Sequence, residues 1–239
     1  MRGQLRKSST FALVLGLLAS LLLPTQSVAL SNFKVAPSTV WGYTYAGKAT
    51  GVAETRPPKV AYLEQKSKFV VNYKNFPEWA KRDFQAAVDI WSANFASTPQ
   101  ITIDASWGRS ASYGVLGSAR PGNYYSGFDG APDQSLWYPS ALANALAGKD
   151  LEPENPEMVI QVNSLAQWNT RGDGSPKLNE YDLQSVFLHE MGHGLGFLST
   201  DSYDQFFGYG TIEQPTPYDA YAQLPDGRRL SDLPSPSIE

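Results

Sequence analysis

Apolar and polar positions change their period several times along the chain, and each change predicts an element. Phe69, Val70, Val71 and Tyr73 form a short run that ends at Asn75-Phe76-Pro77, the pattern of a strand closed by a turn. Pro77 suits the first position of a helix, and Trp79, Phe84, Ala87, Val88, Trp91 and Phe95 then recur every three to four residues, giving one apolar face that stops before Pro99. Ile101, Ile103 and Ala105 alternate with polar residues, as in a half-buried strand. From Gly108 to Gly148 the chain is rich in Gly, Pro and Tyr, with a short helix expected over Ser140–Ala147; a connection of that length is functional or carries irregular edge structure. Met158–Val162 reads as a further strand, and Asn169–Pro176 as turn chemistry. A last helix is expected from Tyr181 to Gly196, with Asn179 and Asp182 as its capping signal and Leu183, Val186, Phe187 and Met191 as its apolar face. The order strand, helix, strand, long connection, strand, helix predicts an α+β fold, a twisted mixed sheet with one long helix and a second helix carrying the candidate chemistry. No repeat and no interdomain linker interrupts it.

The N-terminal residues follow a different logic. Arg2, Arg6 and Lys7 precede an apolar run of 13 residues, Phe11–Leu23, and small residues stand at Ser27 and Ala29. The run is too short to span a bilayer comfortably, so residues 1–29 are expected to be a signal peptide cut after Ala29, with an uncleaved anchor as the alternative. This divides the chain into 1–29 as signal peptide, 30–66 as an N-terminal extension and 67–239 as the main domain. The extension, with few periodic hydrophobics, is expected to be either an opening strand or a pro-segment. The expected location is secreted or extracellular, periplasm or cell surface included, with no stable membrane insertion after signal cleavage.

Composition narrows the chemistry. The 239 residues are 42% hydrophobic and 18% charged, as in an ordinary globular domain, with a net charge of −4. An acidic chain has no basic stripe with which to displace counterions from phosphates, so no nucleic-acid partner is expected. Zero cysteines exclude disulfides, thiolate-bound zinc, iron–sulfur clusters and thiol nucleophiles. A metal site here must use His, Asp or Glu.

Both histidines of the chain fall in one five-residue stretch, His189-Glu190-Met191-Gly192-His193. On a helix, residues four apart differ by only about 40° in azimuth, so the two imidazoles stand one turn apart on one face and can meet one ion. Glu190 projects beside the pair, where it can handle a proton without being a ligand. Peptide hydrolysis needs a nucleophile at neutral pH, which that combination can supply, because zinc lowers the pKa of a water from about 15.7 toward 7 and polarises the scissile carbonyl, while a carboxylate relays the proton to the leaving amine. Neutral imidazoles suit zinc. Gly196, three residues after His193, is placed to end the helix in the left-handed conformation.

The stretch His189-Glu190-Met191-Gly192-His193-Gly194-Leu195-Gly196-Phe197 resembles the start of the metzincin zinc-binding signature. Within that clan it is most similar to leishmanolysin-like peptidases and related secreted bacterial proteins, as are Gly114–Gly117, Trp137-Tyr138-Pro139 and Ala141–Gly148. The resemblance implies a zincin-like N-terminal subdomain, zinc as cofactor, His189 and His193 as ligands and Glu190 as catalytic base. It also marks departures. A compact metzincin has its third ligand three residues after the glycine, where this chain has Ser199, and no methionine for a Met turn follows Met191. In leishmanolysin-like members an insertion separates the glycine from the third histidine, so the domain is expected to be C-terminally incomplete at Glu239. A ligand beyond the sequence ranks first, Glu213 second and Asp219 third, with Asp201 and Asp204 as further carboxylates.

Two other patterns compete for attention. Asn169, Asp173, Gly174 and Glu180 fit positions of a calcium loop, but Arg171 stands where an oxygen ligand belongs, which favours a turn. The aromatic residues of Trp107–Tyr138 are expected either to line a substrate or carbohydrate cleft or to pack on the core. The reading that follows is a secreted zinc endopeptidase acting on protein or peptide. The alternatives are an inactive homologue serving as a binding module and a glycan-binding surface protein.

Overall fold

Strand β3 (Phe69–Lys74), helix α1 (Glu78–Asn94) and strand β4 (Ile101–Gly108) open the main domain as a right-sized crossover unit, β3 and β4 pairing in parallel. The computed structural model describes residues 33–47, 66–110 and 112–238. The expected signal peptide lies outside the described residues, as do residues 48–65 of the extension. Strands β1 (Lys34–Pro37) and β2 (Gly42–Tyr45) belong to the described part of that extension, so this stretch enters sheets as strands. After β4 come β5 (Val115–Pro121), β6 (Asn123–Ser126), β7 (Tyr138–Pro139), α2 (Ser140–Ala147), β8 (Met158–Asn163), α3 (Leu183–Leu195) and the hairpin β9 (Ser202–Asp204) and β10 (Tyr209–Thr211).

The fold is α+β. Its main sheet has the order β2-β5-β8-β4-β3; β8, β4 and β3 run parallel, β5 is antiparallel to β8, and β2 is antiparallel to β5. A smaller sheet, β1-β6-β7, lies beside it. The alternation along β4 and β8 explains the layering. Ile101, Ile103, Ala105, Met158, Ile160 and Val162 are buried, while the intervening residues face outward. Each of the larger side chains gains roughly 2 kcal/mol from burial. Against this face lie α1 and α3, joined by Phe84 and Phe187 with ring centroids 4.3 Å apart and by Trp91 Nε1 donating to the Leu188 carbonyl at 3.0 Å.

Several local details differ from the sequence expectation. Pro77 is extended and caps α1 from outside, its carbonyl accepting from Ala80 N, so the helix begins at Glu78. Asp182 alone caps α3, accepting from the Ser185 backbone at 2.9 Å, and Asn179 takes a positive φ of 71° in the preceding turn. The long Gly/Pro/Tyr-rich connection contains β5, β6 and β7. Most of the aromatics of Trp107–Tyr138 pack inward: Tyr124, Tyr125 and Tyr138 are buried, and Trp107, at the end of β4, sits among Phe76, Trp79 and Trp168. In the loop with calcium-like spacing, the Arg171 guanidinium reaches Asp173 and Glu180 and itself takes the cation's place. Among the described residues, no helix is long and apolar enough to cross a membrane.

Candidate metal centre

Helix α3 carries the three residues singled out in the sequence, and its own packing fixes which way they face. Leu183, Val186, Phe187, Met191 and Leu195 are buried against the sheet and α1. Gly194 meets β8 so closely that a Cβ there would lie 2.8 Å from both Cβ and Sδ of Met158. The helix ends at Gly196, whose φ of 116° closes a left-handed turn in which Phe197 N donates to Gly192 O at 3.0 Å and Gly196 N to His193 O at 3.1 Å.

That turn sets the chemistry of His193. It carries the Phe197 carbonyl back to 2.8 Å from His193 Nδ1. A carbonyl can only accept, so Nδ1 of the neutral ring bears the proton and Nε2 keeps its lone pair. Nε2 is buried and has no hydrogen-bond partner. The His189 ring stands 4.5 Å away, centroid to centroid, at 88° to that of His193. Burial, and then the neighbouring His193 ring, lower the pKa of His189, which favours its neutral form. A lone pair fixed by a bond to the opposite ring nitrogen is what a borderline-soft divalent ion requires of imidazole.

Glu190 lies between them with no exposed surface. Burial pushes its carboxyl up to about 7, against the opposing effect of hydrogen bonds from Thr44. Thr44 N and Thr44 Oγ1 both donate to Oε1, at 3.1 and 2.5 Å, while Oε2 is buried and unpartnered. Two orphaned atoms on one helix, Nε2 of His193 and Oε2 of Glu190, are unusual in a folded interior, where buried polar atoms are nearly always satisfied.

The cover over these atoms is β2, which the sequence did not connect with them. The rungs of the sheet place Gly42 and Thr44 opposite Ala119 and Gly117, on the face of α3, and place Tyr43 opposite Ser118 on the outer face. A Cβ at Gly42 would lie 2.2 Å from His193 Cδ2 and 2.6 Å from Nε2. Only a residue without a side chain fits there. On the outer face, Trp41, Tyr43, Ser106, Arg109, Ser118 and Gln161 line an open polar groove of about 420 Å³.

The structure brings His189, Glu190 and His193 together but assigns the carboxylate alternatives to other tasks. Asp219 is fully buried and accepts from Thr216 N, Thr216 Oγ1 and Thr200 Oγ1 at 2.8 to 3.1 Å, and from Ser199 Oγ, tying together the chain that follows α3. Asp204 accepts from the Phe206 and Phe207 amides, and Asp201 is held by Ser199. Glu213 is exposed in a bend. Among the described residues, no group of three or more His, Asp or Glu side chains is placed to hold one ion. The two imidazoles are the nitrogen donors a zinc ion would use here, with His193 Nε2 the one that is buried and without a hydrogen-bond partner. The Gly42 and Thr44 contacts could not have been read locally, since Thr44 and Glu190 are 146 residues apart in the chain. Compared with models of protein families, with curated proteins and with solved structures, the chain matches none.

Proposed function

We propose that the chain is the zincin-like domain of a secreted, zinc-dependent endopeptidase. The observation that carries this reading is the buried, unpartnered Nε2 of His193, its tautomer fixed by Phe197 O, on the same helix as the buried, unpartnered Oε2 of Glu190. His189 and His193 would hold the ion through their ring nitrogens. When bound, zinc would polarise the peptide carbonyl and lower the pKa of the attacking water. Glu190 would take a proton at Oε2 and deliver it to the leaving amine, a role for which a carboxyl raised to about 7 is suited near neutral pH. A catalytic zinc needs three protein ligands, and among the described residues no group of three is placed to hold an ion, so this reading names two, His189 and His193.

That shortfall favours a second reading, an inactive homologue that keeps the helix and serves as a binding module. Metal analysis and peptidase assay on one set of proteins separate the two. The enzyme reading expects zinc in the parent chain, zinc but no hydrolysis in Glu190→Gln, and neither in His193→Ala. Zinc without hydrolysis in the parent supports the inactive homologue. No zinc at any loading overturns both.

A further inference from the structure

We propose that the segment Gly42–Tyr45 is an internal latch: a strand of the chain's own N-terminal extension seated as a substrate would be, closing the His189–Glu190–His193 site. The inference rests on the metallopeptidase reading above and concerns how that site is regulated.

Three contacts carry it. Gly42 lies against the His193 ring at the nitrogen left free for a ligand. Thr44 takes both donors to the same oxygen of Glu190, and one of them is the N–H of the Tyr43–Thr44 peptide bond. A backbone N–H is thus held on Oε1, while Oε2, the oxygen given the proton transfer above, keeps no hydrogen-bond partner. The third contact is the sheet itself: β2 adds to β5 as an antiparallel edge strand, the usual way for a sheet to capture an extended peptide. Together they place an extended backbone across the two groups the chemistry needs.

The same strand is poorly anchored for a structural element. It is four residues long, at the edge of the sheet, with its pairing shifted between Thr44 and Tyr45, where the Thr44 amide turns to Glu190. The Tyr43 and Tyr45 rings are 43% and 61% exposed, so little apolar burial holds it in place. Its firmer attachments flank it, with Trp41 stacked under the Arg120 guanidinium and Ala46 N donating to Gly114 O. The polar contacts to α3 hold the middle.

The test uses the full chain with Gly42→Val, which forces a side chain into the His193 ring, and with the milder Thr44→Val, which removes only the hydroxyl. Hydrogen exchange followed by mass spectrometry reads the latch directly. We expect exchange over 42–46 and 115–121 to rise about tenfold or more in Gly42→Val and less in Thr44→Val, while 101–108 and 158–163 stay protected. A synthetic peptide of residues 40–46, added in excess to Gly42→Val, is expected to restore protection of 115–121. Zinc uptake against a chromogenic chelator is expected to tighten at least tenfold in Gly42→Val. Unchanged exchange at 115–121 in both variants overturns the proposal. So does exchange that rises equally through β4 and β8, which makes β2 a structural staple. If β2 leaves with no gain in zinc uptake, His189→Ala decides the cause: loss of the remaining uptake refutes the latch, and no change refutes the metal reading beneath it.

Discussion

Thr44 donates twice to one oxygen of Glu190, through its backbone N–H and its hydroxyl, and leaves the other carboxylate oxygen without a partner. One edge of the carboxyl is therefore positioned and the other is kept bare. Burial dominates the energetics of the group, which favours the protonated form despite the two donors.

This makes stability depend on pH with a definite sign. The folded pKa of Glu190, about 7, lies above the ordinary 4.5, so the native chain binds more protons. Its contribution is fully present below the unfolded value and is lost as pH rises through about 7, a change of order 3 kcal/mol. Glu157, buried and also raised to about 7, titrates in the same window, so the comparison must be made against Glu190→Gln. Denaturant midpoints of the metal-free proteins should show Glu190→Gln more stable than the parent at pH 8, with the gap closing by pH 5. A gap independent of pH would contradict the assignment.

The His193 tautomer is a second expectation. Nitrogen-15 NMR of the neutral ring should show the proton on Nδ1, because Phe197 O accepts there at 2.8 Å. Gly196→Ala should weaken that preference, since the left-handed backbone at φ 116° disfavours a side chain and its Cβ would come within 2.8 Å of Pro139 Cγ. A destabilisation of about 1 to 2 kcal/mol is expected alongside. An Nε2-protonated ring in the parent would refute the turn's role.

Close approach of α3 to β8 gives a third. Gly194→Ala places a Cβ 2.8 Å from Met158 Cβ and Sδ, and the sulfur can yield more readily than the Cβ. Overpacking of this kind costs about 1 to 3 kcal/mol, to be read as a lower denaturation midpoint. Gly194→Ala combined with Met158→Ala should recover part of the loss, and failure to recover any would place the strain elsewhere.

What the sequence disclosed and what it concealed divide along physical lines. Helix α3, its inward face and its stop at Gly196 were legible because helical period and a glycine's backbone freedom are local properties. Strands β3 and β8 were legible as short apolar runs and β4 by its alternation. By contrast β5 gave no alternating signature: Gly117 is small because Glu190 and Val186 crowd it, and Ser118 and Ala119 beside it are buried all the same. The short strand β2 was hidden for another reason. Gly42 and Thr44 look like loop residues until a contact 146 residues away explains them.

The alternation along β2 has a final consequence. Sliding this strand by one residue along its neighbour would turn Tyr43 inward and Thr44 toward solvent. A phenol ring would then have to occupy the space where glycine already touches an imidazole. Only one alignment of Gly-Tyr-Thr-Tyr is tolerated, so any other peptide competing for this seat must offer the same spacing of a bare backbone and a small donor.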